Sequence, residues 1–221
     1  MTFARRPDPG RSSRLRGRAC LYVVLLVTAC SRQPAPKLPP ATERPVPAGE
    51  GAGNIVVGKG PAGVNGQAPI VVLQPKAATE FPPPAERPYM DQVSQTFIPA
   101  MLFTRTGVPT EFRNSDDVLH NVRVRESETR EGMFNVAIPT GQVWNFTFPR
   151  DGFYDVGCDI HPGMSAQIYA SSTPYVVAAA LDGSFQFEDV APGAYTVAVF
   201  AGAEKVERTI EVTGARTEVG F

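Results

Sequence analysis

The stretch Gly157-Cys158-Asp159-Ile160-His161-Pro162-Gly163-Met164 places a thiol, an imidazole and a thioether within seven residues. The sulfur atoms of cysteine and methionine are soft donors that favour copper over hard cations, and imidazole is a borderline donor. A trigonal copper site with a weak axial ligand takes one Cys, two His and one Met. The chain has two histidines, and the second, His120, lies in Val118-Leu119-His120-Asn121-Val122. These four side chains complete one such ligand set.

The pair His120-Asn121 followed by Cys158-x2-His161-x2-Met164 resembles the pattern of the cupredoxins, the small blue copper proteins, with the short loop spacing found in amicyanins. The resemblance implies a type 1 copper site. Its ligands would be His120, Cys158, His161 and Met164. It also implies that Asn121 ties the two ligand segments together by hydrogen bonds. Electrons would pass through the edge of His161, where the adjacent Pro162 adds little bulk.

Zinc is the main alternative metal, because one Cys and two His can form an open zinc site with water as the fourth ligand. Met164 argues against zinc, since a thioether is a poor zinc donor. A hydrolytic zinc centre would also need a nearby general base, for which Asp159 is the only adjacent candidate. A copper oxidase or nitrite reductase would need further histidines for a second copper centre. A CuA centre would need a second cysteine in the ligand loop. We therefore expect a protein that is not an enzyme.

Residues 1–29 have the pattern of a bacterial signal peptide. Six arginines precede an apolar segment, Leu21 to Ala29, whose nine residues are too few to span a bilayer as a helix. The segment ends in Val27-Thr28-Ala29-Cys30, which resembles a bacterial lipobox. We expect Cys30 to carry lipid and to begin the mature chain.

Removal of residues 1–29 changes both the cysteine count and the charge. Cys20 would leave with the signal and Cys30 would carry lipid, so Cys158 would remain alone and no disulfide could form. Residues 1–29 hold six of the 21 basic residues and one of the 22 acidic residues, which leaves 15 against 21 and a formal net charge of −6. No basic stripe remains, which argues against nucleic acid as a partner.

The composition predicts an all-β protein, since the chain is rich in Pro and Gly and has no long amphipathic helical pattern. Residues 30–52 are rich in Pro and Ala and are predicted to form an extended tether. Residues 87–171 are predicted to form a cupredoxin Greek-key β-sandwich. Its predicted strands are 96–103, 109–113, 119–124, 142–148, 153–157 and 165–170. Residues 125–132 are charged and predicted to form a solvated loop, and Trp144, Phe146 and Phe148 are predicted to face the core.

The C-terminal part resembles a carboxypeptidase regulatory-like (transthyretin-like) β-sandwich. The resemblance rests on a hairpin turn, Leu181-Asp182-Gly183, followed by Ser184-Phe185-Gln186-Phe187 and by Pro192-Gly193-Ala194-Tyr195. That fold has about seven strands, whereas residues 175–221 supply about five. The two strand candidates 54–58 and 69–73 would complete it. We therefore expect a discontinuous domain of residues 53–80 and 172–221, with the cupredoxin domain inserted between them.

Together these features predict a lipid-anchored blue copper protein that carries single electrons. Its partner would be a redox protein such as a c-type cytochrome or a membrane oxidoreductase. The acidic mature chain, with Asp159 beside the ligands, suggests that the partner is basic. The expected location is the bacterial cell envelope, periplasm-facing or at the outer membrane. The alternative is a copper-binding or structural interaction lipoprotein without an electron-carrier role.

Overall fold

The structure is a computed structural model that describes residues 53–221. The predictions for the signal peptide, the lipidated Cys30 and the tether lie outside the described residues. Within residues 53–221 there are sixteen strands and no helices, so no helix in this part of the chain could cross a membrane. The strands form four sheets. The predicted all-β class with two β-sandwiches is confirmed.

The strands are numbered in chain order. Their bounds are β1 (Asn54–Lys59), β2 (Ile70–Pro75), β3 (Tyr89–Val93), β4 (Thr96–Ile98), β5 (Met101–Arg105), β6 (Pro109–Asn114), β7 (His120–Glu126), β8 (Gly132–Ile138), β9 (Val143–Thr147), β10 (Gly152–Gly157), β11 (Ser165–Ser171), β12 (Val176–Ala178), β13 (Ser184–Val190), β14 (Gly193–Ala201), β15 (Glu204–Val212) and β16 (Arg216–Gly220).

The first sandwich consists of a four-stranded sheet, β4-β3-β6-β9, and a five-stranded sheet, β5-β11-β10-β7-β8. Large side chains fill the space between them, including the fully buried Phe112, Phe148 and Tyr154. Phe148 and Tyr154 lie with their ring centroids 4.6 Å apart. Tightly packed aromatic rings of this size make the sandwich a rigid support for the loops at its ends.

The second sandwich combines two N-terminal strands with five C-terminal ones. Strand β1 lies between β13 and β16, and β2 lies between β12 and β14, with β15 at the edge. Val56 of β1 and Val71 of β2 are fully buried in the same apolar core as Val197 of β14. The N-terminal strands are therefore integral to the sheets of this sandwich, although about 100 residues separate them in sequence from β12.

The two sandwiches pack against each other through the outer faces of two sheets. On β2, Val71 and Leu73 enter the core of the second sandwich, whereas Ile70 and Val72 face the first sandwich. On β11, Tyr169 faces the second sandwich, and its ring centroid lies 5.8 Å from that of Phe200. Because successive side chains on a strand point to opposite faces, β2 is buried on both sides. This explains its uninterrupted apolar sequence.

The buried Tyr169 makes stability sensitive to alkaline pH. Burial raises the pKa of Tyr169 to about 12, and the nearby Asp151 adds to this shift. Tyrosine in an unfolded chain titrates near pH 10, so the unfolded state loses this proton first as pH rises. The stabilisation is complete below about pH 10 and is lost between about pH 10 and 12, for about 3 kcal/mol in total. We expect Tyr169→Phe to remove this loss from the free energy of unfolding measured across that range.

A second tyrosine and a control variant sharpen this measurement. Burial also raises the pKa of Tyr195 to about 12, with a further contribution from Tyr175. Tyr169→Phe should therefore remove about half of the alkaline loss that these two residues cause. Tyr89→Phe alters an exposed ring and should leave the loss unchanged. An unaltered pH profile in Tyr169→Phe would refute the assignment.

Three local predictions for the first sandwich were wrong. The single strand predicted at 96–103 is two strands, because Pro99 has no N–H to donate and the chain there passes from one sheet to the other. The charged loop predicted at 125–132 is shorter, and the strand β8 that follows it was not predicted. Trp144 was predicted to face the core, but it is 42% exposed because it lies on the edge strand β9.

The predicted hairpin turn at Leu181-Asp182-Gly183 is also corrected. A turn is present, but β12 before it and β13 after it belong to different sheets, so the segment crosses the sandwich. Gly183 has φ +85°, and a Cβ atom there would lie 2.3 Å from the carbonyl oxygen of Gly60. Glycine is therefore required at this crossing.

Candidate metal centre

The predicted ligands come together at one end of the first sandwich. His120 is the first residue of β7, Cys158 directly follows β10, and Met164 directly precedes β11. The loop between β10 and β11 is closed by two backbone hydrogen bonds. Cys158 N–H donates to the carbonyl of Met164 at 3.3 Å, and Met164 N–H donates to that of His161 at 2.9 Å. This tight loop carries Cys158, His161 and Met164, and it places Cys158 and His161 beside His120 at the start of β7.

The donor atoms of His120, His161 and Cys158 all lie within 4.8 Å of one another. The Nδ1 atoms of the two imidazoles are 2.9 Å apart, and Cys158 Sγ is 3.9 Å from His161 Nδ1. His120 is fully buried, Cys158 and Met164 are buried, and His161 is partly exposed. The structure therefore gathers two imidazole nitrogens and a thiol, with one ring reaching the surface.

This donor set fits a single soft or borderline metal ion. Bonds of about 2.0 Å to imidazole and about 2.3 Å to thiolate place neighbouring donors roughly 3 to 4 Å apart. The observed separations of 2.9 and 3.9 Å match this spacing. Cys158 is the only cysteine among the described residues, and it is a free thiol.

Asn121 connects β7 to the ligand loop through both ends of its side chain. Its Oδ1 accepts hydrogen bonds from the N–H groups of Asp159 at 2.6 Å and Ile160 at 3.2 Å, and from the Cys158 thiol at 3.2 Å. Its Nδ2 donates to Asn135 Oδ1 at 2.8 Å. Asn121 is buried, so these bonds satisfy an amide that would otherwise be costly to bury.

The carboxylate of Asp159 contacts side chains of β7 and β8. Its Oδ1 lies 3.0 Å from Arg123 Nη1, and its Oδ2 accepts from Asn135 Nδ2 at 2.9 Å. These contacts hold the ligand loop against β7 and β8. Arg123 also offsets part of the charge of Asp159, one of the groups that were expected to attract a basic partner.

The contact between Asp116 and His120 was not predicted from the sequence. Asp116 Oδ2 lies 2.9 Å from His120 Nε2 and accepts from Gln95 N–H at 2.8 Å. The bond from Gln95, together with the one from His120, holds the pKa of Asp116 below its usual value, so the carboxyl is ionised at neutral pH. The sequence signal that could have found it is an acidic residue in the turn four positions before His120.

Exposed aliphatic residues flank both candidate histidine ligands in the chain. Leu119 is 48% exposed and Ile160 is 45% exposed, and Val118 and Pro162 are also exposed. Each lies within two residues of one of the two histidines in sequence. Exposed aliphatic side chains gathered at one end of a domain are typical of a contact surface.

No protein-family model matches this chain, and no curated protein matches it. Among solved structures, a purple cupredoxin from Nitrosopumilus maritimus is 20% identical over 38% of this chain and 99% of that one, with a TM-score of 0.35. Amicyanin from Paracoccus versutus is 19% identical over 46% of this chain and 96% of that one, also with a TM-score of 0.35. A copper-containing nitrite reductase from Thermus scotoductus is 25% identical over 44% of this chain, with a TM-score of 0.36. This chain spans 25% of that reductase's length.

Proposed function

We propose that this protein is a lipid-anchored type 1 copper protein that carries single electrons at the bacterial cell envelope and is not an enzyme. Two imidazole Nδ1 atoms and a buried thiol lie close together at the loop between β10 and β11, and this observation supports the proposal most directly. One of the two rings, that of His161, is partly exposed, whereas His120 is fully buried. The proposal places the cupredoxin domain at residues 87–171.

Each residue has a defined part in this site. His120 and His161 would supply nitrogen lone pairs, Cys158 its sulfur, and the buried Met164 of the same loop a weaker thioether donor. Copper bound here would supply one-electron chemistry by alternating between Cu(I) and Cu(II). The two copper states prefer different coordination. Ligands held by strand ends and by Asn121 rearrange little between the two states, which favours rapid electron transfer.

Copper suits the donor set better than zinc does. Zinc would bind the two imidazoles and the thiolate with water as the fourth ligand, and hydrolysis would then need a general base nearby. The adjacent acid, Asp159, is held by Arg123 and Asn135. The buried thioether of Met164 is a soft donor that selects copper.

His161 is the proposed route for electrons. Its ring is partly exposed, and the exposed Leu119, Ile160 and Pro162 give an apolar approach to it. An apolar contact of this kind excludes water from the space between two redox proteins and is weak enough to release quickly. We propose a redox protein such as a c-type cytochrome or a membrane oxidoreductase as the partner. The net charge of −6 for residues 30–221 suits a basic one.

We propose that lipid at Cys30 holds the protein at the membrane, and the intact mass of the membrane-extracted protein tests this. Residues 53–80 and 172–221 would form the carboxypeptidase regulatory-like sandwich. The strand pairing of β1 and β2 with β12–β16 supports that assignment.

The route through His161 is tested by substituting Pro162 with Glu and, separately, with Lys. Either side chain would place an unpaired charge in the apolar contact, and each should slow electron exchange with a partner about tenfold. Residue 162 is not a ligand, so the visible spectrum of the copper-loaded protein should change little. Stopped-flow measurement of electron exchange gives the rates.

Matched variants separate this effect from a general change of charge. Pro192→Glu and Pro192→Lys alter an exposed proline of the second sandwich and should leave the rate unchanged. Opposite effects of Glu and Lys at residue 162 would show that charge steering, and not apolar contact, controls docking. Copper binding without any dependence on residue 162 would favour a copper-binding lipoprotein that is not an electron carrier.

A further inference from the structure

The carboxylate of Asp116 lies against the side of His120 that faces away from the other donors. His120 Nδ1 is 2.9 Å from His161 Nδ1, whereas His120 Nε2 is 2.9 Å from Asp116 Oδ2. An ionised carboxylate only accepts hydrogen bonds, so the ring must donate to it from Nε2. The lone pair of Nδ1 is then directed at His161 and the thiol of Cys158.

Asp116 is itself held in place from two sides. Its Oδ2 accepts from Gln95 N–H at 2.8 Å, and its own N–H donates to Asn114 Oδ1 at 3.0 Å. Gln95 belongs to the turn between β3 and β4. Asp91, on β3, holds this hairpin against Ser115 in the segment that precedes β7. Asp91 accepts from Ser115 N–H at 3.1 Å and from Ser115 Oγ at 2.7 Å.

The backbone of this turn adopts an uncommon conformation. Ser94 has φ 50° and Gln95 has φ 54°, both in the left-handed region that non-glycine residues rarely occupy. Two such residues in succession define a type I′ turn, for which Asn-Gly is the usual sequence. Local strain of this kind persists where the surrounding contacts enforce it, and it clusters at functional sites. Here the conformation directs Gln95 N–H at Asp116.

We infer that Asp116 is a positioning residue that fixes His120 in its Nε2–H tautomer and strengthens Nδ1 as a metal donor. A carboxylate that accepts from the far side of a ligating imidazole raises the basicity of that ligand. The more highly charged metal state gains most from a more basic ligand, so Asp116 favours Cu(II) over Cu(I). This inference rests on the proposed copper site, but the tautomer is a property of the protein without metal.

The test compares Asp116→Asn with Asp117→Asn. The two variants remove the same charge from adjacent residues. Asp117 is exposed, and its side chain makes no hydrogen bond or ion pair in the described part of the chain. Asp116→Asn should lower the affinity for Cu(II) about tenfold, lower that for Cu(I) less, and raise the reduction potential. Asp117→Asn should change each affinity by less than about twofold.

Long-range ¹H–¹⁵N correlation spectra of the metal-free protein supply a readout independent of copper. The wild-type protein should show His120 protonated at Nε2, and Asp116→Asn should shift that N–H resonance while Asp117→Asn should not. A wild-type Nδ1–H tautomer, or equal effects of the two variants, would overturn the inference. Absence of a thiolate-to-copper band in wild-type protein would instead refute the proposed function, and the tautomer measurement would still decide the role of Asp116.

Discussion

Replacing Cys158 with serine is expected to abolish the intense visible absorption of the copper-loaded protein. The absorption of a blue copper site arises from charge transfer between the thiolate and copper, and serine offers no sulfur. Copper affinity should fall by more than the roughly 10–100-fold that loss of an outer hydrogen-bonding partner costs, because a ligand itself is removed. Copper titration followed by visible absorption and electron paramagnetic resonance measures both effects. The narrow copper hyperfine coupling of a blue site should disappear with the band.

The serine variant should otherwise keep its structure. Its hydroxyl can donate to Asn121 Oδ1 as the Cys158 thiol does, so thermal unfolding of the metal-free protein should change little. Met164→Leu is the matched control, since it removes a sulfur from the same loop at nearly equal volume. That variant should retain the thiolate band with a shifted position. A thiolate band that survives in Cys158→Ser would show that the proposed site is wrong.

The ligand types could be predicted from the sequence because so few residues can supply them. The chain has two histidines, and Cys158 is the sole cysteine after residue 30. The structure gathers these three side chains at one end of a sandwich. The spacing Cys158-x2-His161-x2-Met164 is a local feature of the loop, so it can be recognised without knowledge of the tertiary structure.

The contacts of the ligands were harder to predict because they join segments far apart in the chain. Arg123 and Asn135 reach Asp159 from β7 and β8, and nothing in their spacing to residue 159 indicates this. The strand β8 was missed because apolar residues are adjacent in its sequence, as in Met133-Phe134 and Val136-Ala137, which weakens the apolar alternation. The contact of Asp116 with His120 was missed because Asp116 is held by the turn between β3 and β4. In that turn Ser94 and Gln95 adopt left-handed conformations without the usual turn sequence.

The continuous burial of β2 shows a further limit of pattern reasoning. Ile70, Val71, Val72 and Leu73 are all buried, so no alternation distinguishes one face from the other. Two different layers cover the strand, the core of the second sandwich and the outer face of the first. A short apolar run identifies such a strand, but the partner on each face depends on the tertiary structure.

Replacing Asn121 with alanine is expected to have the second largest effect, because one buried amide connects β7 to the ligand loop. The variant leaves the N–H groups of Asp159 and Ile160 and the Cys158 thiol without their acceptor. An unsatisfied buried donor costs about 1–3 kcal/mol, and water can reach part of this loop. The free energy of unfolding of the metal-free protein should therefore fall by about 3 kcal/mol. Denaturant unfolding followed by circular dichroism measures it.

The same substitution should weaken metal binding, because Asn121 holds Cys158 in the position in which its sulfur faces the two imidazoles. Copper affinity should fall about 10–100-fold, and the released loop should let copper dissociate faster. Asn145→Ala is the matched control, since it shortens an exposed asparagine on β9 and should alter neither stability nor affinity by a measurable amount. If Asn121→Ala lowered stability but left copper affinity and dissociation at wild-type values, Asn121 would be a structural residue only. The ligand loop would then keep its geometry through the contacts of Asp159 with Arg123 and Asn135.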